Sequence, residues 1–379
     1  MEADAGRVLA FRVAGHGLAA PDGRSALDAL AGWAVQDSPP GAATAAVLAR
    51  CAEPLSPGWL DAAVHEERAA VALYNARTAT AVVPAAEAPA FGTALRPRDD
   101  AGLKAVVASA VPERSEGFAE PVALAVAAIS DALDGTVLSR DDLHEELRAR
   151  LPGELLPWCQ SCQSHHARRG LLVMAALHGR LCVARRAGRQ PAFARTDQWA
   201  GWAAPPAAEA GAERVRRYLA AYGPSTPGEL ARWAGLGNAH GRSLWARVAG
   251  ELAEVTVEGR AGRAWVLAAD LDRLADPPPA SGVRLLAPGD PLLLGRDRGA
   301  LLPDERARRA VWKPIGGAGL VLSDGRPAAL WRGRKQGRRL DAAVAPLGPV
   351  PRAAVQAELE RLAPHRGCAS VAVAWRSSA

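Results

Sequence analysis

The stretch Tyr222–Leu236, YGPSTPGELARWAGL, decides the interpretation of the fold. Thr226 and Glu229 have the spacing of a capping box, in which the first side chain caps a helix and the acid three residues on bonds back to the cap. Leu230 and Trp233 follow at the spacing of one apolar helix face. The Gly-Pro pair just before the cap ends the preceding helical pattern. The stretch therefore predicts a helix, a tight turn and a second helix.

The residues after this stretch add a β-hairpin to the helix-turn-helix. A third helical pattern runs through Leu244–Val248. Two strand patterns, at Val255–Arg260 and Ala264–Leu267, flank a glycine turn. A helix-turn-helix followed by a β-hairpin is a winged helix.

The same capping arrangement occurs twice more upstream. Ser139-x-x-Asp142 precedes an apolar helical pattern, and Ser25-x-x-Asp28 precedes the apolar set Leu27, Leu30, Trp33 and Val35. Strand candidates at 71–76 and 78–83 supply a hairpin for the first unit. We predict three tandem winged-helix units, over residues 1–117, 118–205 and 206–276, in a chain of class α+β.

Residues 277–379, which we call the tail, have a different pattern of predicted strands and turns. Pro277–Pro279 is a linker signal, and strand candidates follow at 283–286, 320–322 and 328–331. The last two strands are joined by Ser323–Arg326, whose Asp-Gly pair is a strong hairpin signal. With a helix near 351–363, residues 280–379 are predicted to form a small β-barrel-like domain that contains this hairpin.

Positive charge is concentrated in this tail. The 379 residues contain 46 basic and 40 acidic side chains, a net charge of +6. Residues 304–339 alone hold ten basic and three acidic side chains, an excess larger than that of the whole chain. A segregated basic patch is typical of phosphate neutralisation in nucleic-acid binding. The alternative is a solvated basic face on a small β-domain.

Several protein classes are excluded by pattern. No apolar run reaches the ~18 residues of a membrane span, and the acidic N-terminus is unlike a signal peptide. The sequence contains no phosphate-binding glycine loop and no HExxH motif. We therefore predict a cytoplasmic, nucleoid-associated protein without a cofactor or a membrane partner. The strong preference for Arg over Lys, with many Ala and Gly residues, is typical of a very GC-rich genome.

One cysteine motif lies outside this scheme. Cys159-x2-Cys162 followed by His165 and His166 has local spacing typical of a zinc site. Its alternative is a turn with buried thiols and polar histidines. No second Cys-x2-Cys pair follows, which favours the turn without a metal ion. We therefore predict no metal site.

Several stretches together resemble a known family. The tail pattern from Leu285 to Leu302, the segment Arg309–Lys313 and the segment Leu322–Arg332 are similar to the C-terminal signature of the AlkZ/YcaQ-type winged-helix DNA glycosylases. The Tyr222–Leu236 stretch resembles their third winged helix. The resemblance implies three winged helices buttressed by a β-barrel, in a C shape around duplex DNA.

The resemblance also assigns candidate catalytic residues. The family's motif, Gln-x-Gln or Gln-x-Asp followed by Asp-Pro, aligns with Gln36-Asp37-Ser38-Pro39. Gln36 takes the first position, and Ser38 replaces the second Gln or Asp. The Gln36 amide would hold the attacking water. Asp37 either faces inward, where it favours a cationic sugar and accepts a proton, or caps the following helix.

The implied activity is that of a monofunctional DNA glycosylase, since no lysine lies near Gln36 for lyase chemistry. The implied partner is duplex DNA with a bulky N7-alkylguanine, bound by a monomer, in self-resistance to a DNA-alkylating antibiotic of the trioxacarcin-like or azinomycin-like kind. The alternative is a non-catalytic winged-helix regulator or lesion sensor, which a stable dimer would favour. The candidate DNA contacts are Ser323 and Arg326 at the hairpin, with Lys313, Arg332, Arg334, Lys335, Arg338, Arg339 and, more weakly, Arg77.

Overall fold

The computed structural model describes residues 1–20, 24–31, 33–75, 77, 79–112, 117–187 and 190–376. These residues divide into two compact units. We call Met1–Leu60, Arg216–Thr226 and Gly250–Ala379 the terminal unit, and Asp61–Val215 with Pro227–Ala249 the middle unit. Within the described ranges, every helix is too short or too polar to cross a membrane.

The helices are numbered in chain order over the described residues. They are α1 (Ala5–Gly15), α2 (Ala26–Leu30), α3 (Ala42–Leu48), α4 (Trp59–Asp61), α5 (Ala88–Leu95), α6 (Asp100–Val107), α7 (Ala119–Ala132), α8 (Arg140–Arg150), α9 (Arg169–Leu177), α10 (Thr196–Trp199), α11 (Ala207–Tyr222), α12 (Pro227–Ala234), α13 (Asn238–Ala246), α14 (Leu271–Ala275), α15 (Arg298–Leu301), α16 (Glu305–Val311) and α17 (Arg352–Leu362).

The strands are numbered in the same way. They are β1 (Glu2–Ala3), β2 (Val35–Gln36), β3 (Ala70–Tyr74), β4 (Thr80–Pro84), β5 (Leu138–Ser139), β6 (Trp158–Cys159), β7 (Ser164–His165), β8 (Cys182–Ala187), β9 (Gln190–Ala194), β10 (Leu252–Val257), β11 (Ala264–Leu267), β12 (Val283–Leu286), β13 (Gly319–Ser323), β14 (Arg326–Gln336), β15 (Arg339–Pro346) and β16 (Ser370–Trp375).

Two of the predicted helix caps are confirmed. The Ser139 hydroxyl accepts the Asp142 N–H at 3.2 Å, and the Ser25 hydroxyl accepts the Asp28 N–H at 3.1 Å. The helix that Ser25 caps is shorter than the apolar spacing predicts, because the backbone becomes extended at Ala31. Trp33 is nevertheless buried. An apolar residue at a helical spacing can thus enter the core from a turn instead of a helix.

In the middle unit, residues 119–187 and 190–194 form α7, β5, α8, the short β6–β7 hairpin, α9 and then strands β8 and β9, with strand order β5-β9-β8. The helices and the β8–β9 pair have the order of a winged helix, and the β6–β7 hairpin is an additional element between α8 and α9. The β3–β4 hairpin matches the strands expected in the first unit, although Ala76 and Thr78 lie outside the described residues.

The third predicted unit has its expected elements α11, α12, α13 and the β10–β11 hairpin. The division into compact units passes through it, with α12 and α13 in the middle unit and β10–β11 in the terminal unit. The tandem winged-helix arrangement and its domain boundaries therefore stay predictions.

The predicted C-terminal barrel is wrong. The tail forms an open five-stranded sheet of order β12-β13-β14-β15-β16, in which β12 and β16 are the two edges. Strands β15 and β16 run parallel, and α17 is the crossover between them, as a parallel pair requires. Because α17 packs on one face of the sheet, that face is closed by a helix instead of by further strands.

Both faces of this sheet are buried along β12, most of β13 and residues 328–331 of β14. Leu285, Val321 and Trp331 contact α3 and α17 in one core cluster. Their neighbours Leu286 and Leu320 belong to a second cluster on the opposite face. This alternation follows from the two-residue side-chain period of a strand. It fixes α3, the helix that follows the Gln36 motif, against the C-terminal sheet.

Candidate active site and nucleic-acid interface

The Gln36 motif forms a loop between β2 and α3 in the terminal unit. The Gln36 Nε2 donates to the Ser38 carbonyl oxygen at 3.2 Å, and the Gln36 side chain is half-buried. Ser38 and Pro39 are exposed. Since this hydrogen bond uses the amide nitrogen, the amide oxygen is the acceptor that the side chain can offer to another group. We call residues 36–39 the Gln36 loop.

Asp37 adopts the second of its two predicted positions. Its Oδ1 accepts the backbone N–H of Gly41 at 2.8 Å and that of Ala43 at 3.2 Å. The carboxylate therefore satisfies the free N–H groups at the start of α3 and interacts favourably with the helix dipole. In this position Asp37 fixes the loop against the start of α3.

The far end of α3 is held by a buried ion pair. The Arg50 guanidinium donates two hydrogen bonds to Asp290, at 2.9 and 3.0 Å, and neither side chain is exposed to solvent. The Arg50 Nε donates to the His16 carbonyl at 2.9 Å. Arg361 of α17 donates to the Leu48 carbonyl at 2.7 Å. Helix α3 is thus tied to α1, to α17 and to the loop after β12.

That loop lies directly against the Gln36 loop. Gly289 has φ +86°, and a Cβ at this position would lie 3.0 Å from the Ser38 carbonyl oxygen and 3.8 Å from the Gln36 Nε2. Only glycine tolerates both this backbone conformation and this close approach. Two segments about 250 residues apart therefore meet at the candidate catalytic residues.

A cavity of about 420 Å³ opens beside the Gln36 loop, a volume typical of ligand sites. Pro39 lines one side of it, and Trp331, Arg332 and Lys335 of β14 line another. The candidate catalytic loop and two of the predicted phosphate-binding residues thus share one cavity. Its further lining residues are Pro288, Gly316, Gly317, Gly333, Leu340, Leu362 and Arg366.

Arg366 is a charged residue of this cavity that the sequence patterns missed. Burial lowers the pKa of its guanidinium, and the nearby charge of Asp37 opposes that effect. A Cβ on Gly41 would lie 3.5 Å from the Arg366 Cζ. Arg366 lies outside the basic window 304–339 and belongs to no motif, so no sequence signal pointed to it.

The long hairpin of β14 and β15 presents most of the predicted cations. Every residue from 332 to 339 is exposed, and we call this segment the basic arm. Its five cations are Arg332, Arg334, Lys335, Arg338 and Arg339. Arg339 forms an ion pair with Asp341 at 2.5 Å, which offsets part of its charge.

The predicted hairpin turn Ser323–Arg326 lies at the other end of β14. Asp324 accepts the Gly282 N–H at 2.8 Å, and a Cβ on Gly325 would lie 2.7 Å from the Ala280 Cβ. Arg326 is exposed but lines a different cavity of about 690 Å³. Arg326 is nine positions along the chain from Lys335, roughly 30 Å at ~3.3 Å per residue, and five positions from Trp331, which also lines the cavity beside the Gln36 loop. The turn residues 323–326 are not among those that line this cavity.

Two other candidate contacts have different surroundings. Lys313 is exposed and precedes Gly316 and Gly317, which line the cavity beside the Gln36 loop. Arg77 belongs to the middle unit, where its guanidinium donates to the Trp233 carbonyl at 3.0 Å.

His16 is a core residue. Its Nδ1 lies 2.8 Å from the Arg12 carbonyl oxygen, and its ring meets the edge of Tyr222. Burial, reinforced by the charge of Arg50, lowers the pKa of His16 to about 3. A side chain held neutral in this way supports the packing of α1 and is not placed to transfer protons with a substrate.

Comparison with known proteins adds to this geometry. The family model described as "DNA glycosylase AlkZ-like" matches residues 27–365 of this chain, a span that includes both the Gln36 loop and the basic arm. The chain belongs to the AlkZ-like DNA glycosylase family. Among curated proteins, this family member is 32% identical over 216 residues to the interstrand DNA cross-link repair glycosylase of Streptomyces sahachiroi.

That alignment covers 54% of this chain and 55% of the relative, so the chain spans about half the length of the curated relative it matches. Among solved structures, the S. sahachiroi DNA glycosylase AlkZ matches 99% of this chain and 100% of its own, with a TM-score of 0.76 and 24% identity. At that identity the structural likeness shows a shared fold.

Proposed function

We propose that this chain is a monofunctional DNA glycosylase that hydrolyses the N-glycosidic bond of bulky N7-alkylguanine adducts in duplex DNA. The observation that carries the proposal is the shared cavity, in which Pro39 of the Gln36 loop faces Arg332 and Lys335 of the basic arm. Membership of the AlkZ-like family supports the same assignment.

An N7-alkylated guanine is cationic, so it is a good leaving group without strong acid catalysis. The enzyme must position a water molecule and stabilise the oxocarbenium-like sugar. The Gln36 amide oxygen accepts a hydrogen bond from that water, while the Nε2 bond to the Ser38 carbonyl holds the amide in place. The water oxygen bonds to C1′, the bond from C1′ to N9 breaks with its electron pair going to the base, and the water proton leaves to solvent.

The other motif residues have supporting roles in this scheme. Asp37 acts as a positioning residue, because its Oδ1 is engaged by the start of α3. Ser38 accepts the Gln36 amide N–H through its carbonyl and is an exposed residue next to Pro39, which lines the cavity. The shorter Ser38 side chain leaves more space than a Gln or Asp would, which suits a bulky adduct.

In this proposal the basic arm binds DNA near the lesion. Its exposed cations would neutralise phosphates beside the cavity while the arm approaches the minor groove. Ser323, Arg326, Lys313 and Arg77 are then outer contacts. The sequence predicted that the turn at 323–326 approaches the lesion. In this proposal the longer hairpin of β14 and β15 takes that role.

The substrate range follows from the same cavity. A basic arm beside an open site favours adducts that remain in the duplex over full extrusion of the base into a tight pocket. The S. sahachiroi relative is named for repair of interstrand cross-links, so a cross-linked duplex is a second substrate to test. The proposed biological role is self-resistance to a DNA-alkylating antibiotic.

The test uses a duplex with one defined N7-alkylguanine adduct, a matched cross-linked duplex and undamaged DNA. We expect the protein to release the adduct and leave an intact abasic site without strand cleavage. Gln36→Ala should slow single-turnover release by about 10²–10³-fold, the usual effect of removing a group that positions a reacting atom. Gln356→Ala, on the exposed face of α17, is the matched control and should release the adduct at the wild-type rate.

Bound DNA with no adduct release above background would contradict the proposal. Together with a stable dimer in size-exclusion chromatography, that result would favour the non-catalytic regulator. Strand cleavage without heat or base would contradict the monofunctional assignment.

A further inference from the structure

The β6–β7 hairpin of the middle unit contains a cluster of metal-binding side chains that the proposed glycosylase chemistry does not use. Cys159 ends β6, Cys162 lies in the turn, and His166 directly follows β7. One ligand atom from each of the three lies within 4.8 Å of the other two. Cys162 is exposed, and the other two are half-buried.

This separation is close to that of a zinc site. With Zn–S bonds of about 2.3 Å and tetrahedral angles, two thiolate sulfurs lie about 3.8 Å apart. The three ligand atoms therefore need to approach one another by no more than about 1 Å. Two thiolates and one imidazole are the donor set that Zn²⁺ prefers.

The His166 ring is prepared as a ligand. Its Nδ1 lies 2.9 Å from the Ala167 carbonyl oxygen, so that nitrogen carries the proton and the Nε2 keeps its lone pair. The Nε2 is buried without a hydrogen-bond partner in the described part of the chain. Metal-binding histidines usually donate their second ring N–H to a carbonyl in this way, and a buried polar atom without a partner requires an explanation.

The neighbouring histidine is arranged differently. His165 has its Nδ1 at 2.8 Å from the Leu156 carbonyl oxygen, and its ring meets the edge of Trp158. It is not a member of the cluster. The sequence pattern placed His165 with the two cysteines and His166 as a possible fourth ligand, whereas the cluster contains His166 and not His165.

We propose that the chain binds one Zn²⁺ through Cys159 Sγ, Cys162 Sγ and His166 Nε2. Within the described residues the cluster has three members, so a water molecule or another small ligand takes the fourth position. His144 of α8 packs its ring 4.5 Å from that of His166 and keeps the ligand ring in place. The metal would tie the hairpin turn to the segment that leads into α9, and so stabilise the middle unit independently of DNA binding.

The test measures metal on the full-length chain. Protein purified without chelator should contain about one zinc per chain, and the chelator-treated protein should bind one Co²⁺ with thiolate-to-cobalt absorption in the near ultraviolet. The Cys162→Ser and His166→Ala variants should contain no zinc after purification. Each should bind Co²⁺ with a Kd at least tenfold higher than that of the wild type. His165→Ala and Cys182→Ser, which alters a buried thiol outside the cluster, should keep both the zinc and the Co²⁺ affinity.

Circular dichroism of each variant shows whether it remains folded, and Tm with and without Zn²⁺ measures the stabilisation. A wild-type chain with neither zinc nor cobalt absorption would overturn the proposal. So would a His166→Ala variant that binds Co²⁺ as tightly as the wild type, or equal losses from His165→Ala and His166→Ala. No arm of this experiment requires DNA, so its failure is distinct from failure of the proposed glycosylase.

Discussion

The two ends of strand β14 have similar sequences and different surroundings. Each end has a glycine turn flanked by arginine, at Ser323–Arg326 and at Gln336–Arg339. The first turn packs on residues 280–282 and lies beside one cavity, whereas the second extends the exposed basic arm beside the Gln36 loop. A turn signal therefore identifies a hairpin, but the packing of the segments around it decides whether the hairpin is free to contact a ligand.

The end of β14 that carries the basic arm lies near segments that a buried ion pair joins. Helix α3 and the Gly289 loop are joined through Arg50 and Asp290, with no solvent access to either side chain. At the Ser323–Arg326 turn, the Asp324 contact with Gly282 involves an exposed carboxylate. The end that carries the proposed chemistry is thus expected to be more sensitive to substitution than the end that does not.

The largest effect is expected from Asp290→Ala. It leaves the Arg50 guanidinium buried without its carboxylate, which typically costs about 3–5 kcal/mol of unfolding free energy. Urea unfolding monitored by tryptophan fluorescence measures the loss. The control is Asp341→Ala at the surface pair with Arg339, where less than about 1 kcal/mol is expected.

Replacing both partners separates loss of the pair from loss of packing. Arg50→Met combined with Asp290→Leu should recover much of the stability that Asp290→Ala loses, because no unpaired charge remains in the core. A loss below about 1 kcal/mol for Asp290→Ala would contradict the assigned burial of the pair.

The next effect concerns DNA affinity. If the basic arm holds phosphates, each cation removed should reduce the magnitude of the slope of log K against log salt by about 0.9. Arg334→Ala should show this change, and Arg332→Ala, Arg334→Ala and Lys335→Ala together should show about three times the change. Fluorescence anisotropy with an undamaged duplex at several salt concentrations measures it.

Arg326→Ala is the matched comparison, since it removes one exposed arginine from the other end of the same strand. As an outer contact, Arg326 should reduce the magnitude of the slope by less than Arg334 does when it is removed. Equal slope changes for Arg326→Ala and Arg334→Ala would show that both ends of β14 contact DNA alike.

The smallest effect is the pH dependence contributed by His16. Its pKa is lowered to about 3 in the folded chain, so the unfolded chain takes up the proton first as the pH falls below the ordinary value near 6.5. The contribution of His16 to the free energy of unfolding is fully present above that value and is lost as the pH falls toward 3. Between pH 7 and pH 5.5 the expected loss is about 1 kcal/mol.

His16→Asn keeps a donor for the Arg12 carbonyl and removes the titration. The fall in unfolding free energy over that pH range should therefore be smaller in this variant by about 1 kcal/mol. An unchanged pH dependence would mean that the ring titrates alike in the folded and unfolded chains.

Much of the secondary structure could be predicted because local signals specify it. The Ser139 cap, the β12 strand at 283–286 and the helix near 351–363 all depend on residues close in sequence. The open sheet could not be predicted. Local sequence patterns do not specify that the strand after α17, β16, pairs in parallel with β15.

The candidate site shows the same limit. Gln36 was found through a motif, and Asp37 as a helix cap was one of the alternatives that its own sequence allows. Arg366 carries no motif and reaches the cavity only through tertiary packing. The choice between His165 and His166 as a metal ligand depended on ring orientation, which adjacent positions in a sequence cannot distinguish.

The Arg50 and Asp290 pair has a consequence for how the chain is made. The two residues are 240 positions apart. At a synthesis rate of about 5–20 residues per second, Arg50 leaves the ribosome roughly 12–48 seconds before its partner is made. During that interval α3 has neither its counter-charge nor the sheet that covers its apolar face. The first sixty residues therefore depend on late synthesis for their native environment, and nascent chains halted before residue 290 are expected to be substrates for chaperones and proteases.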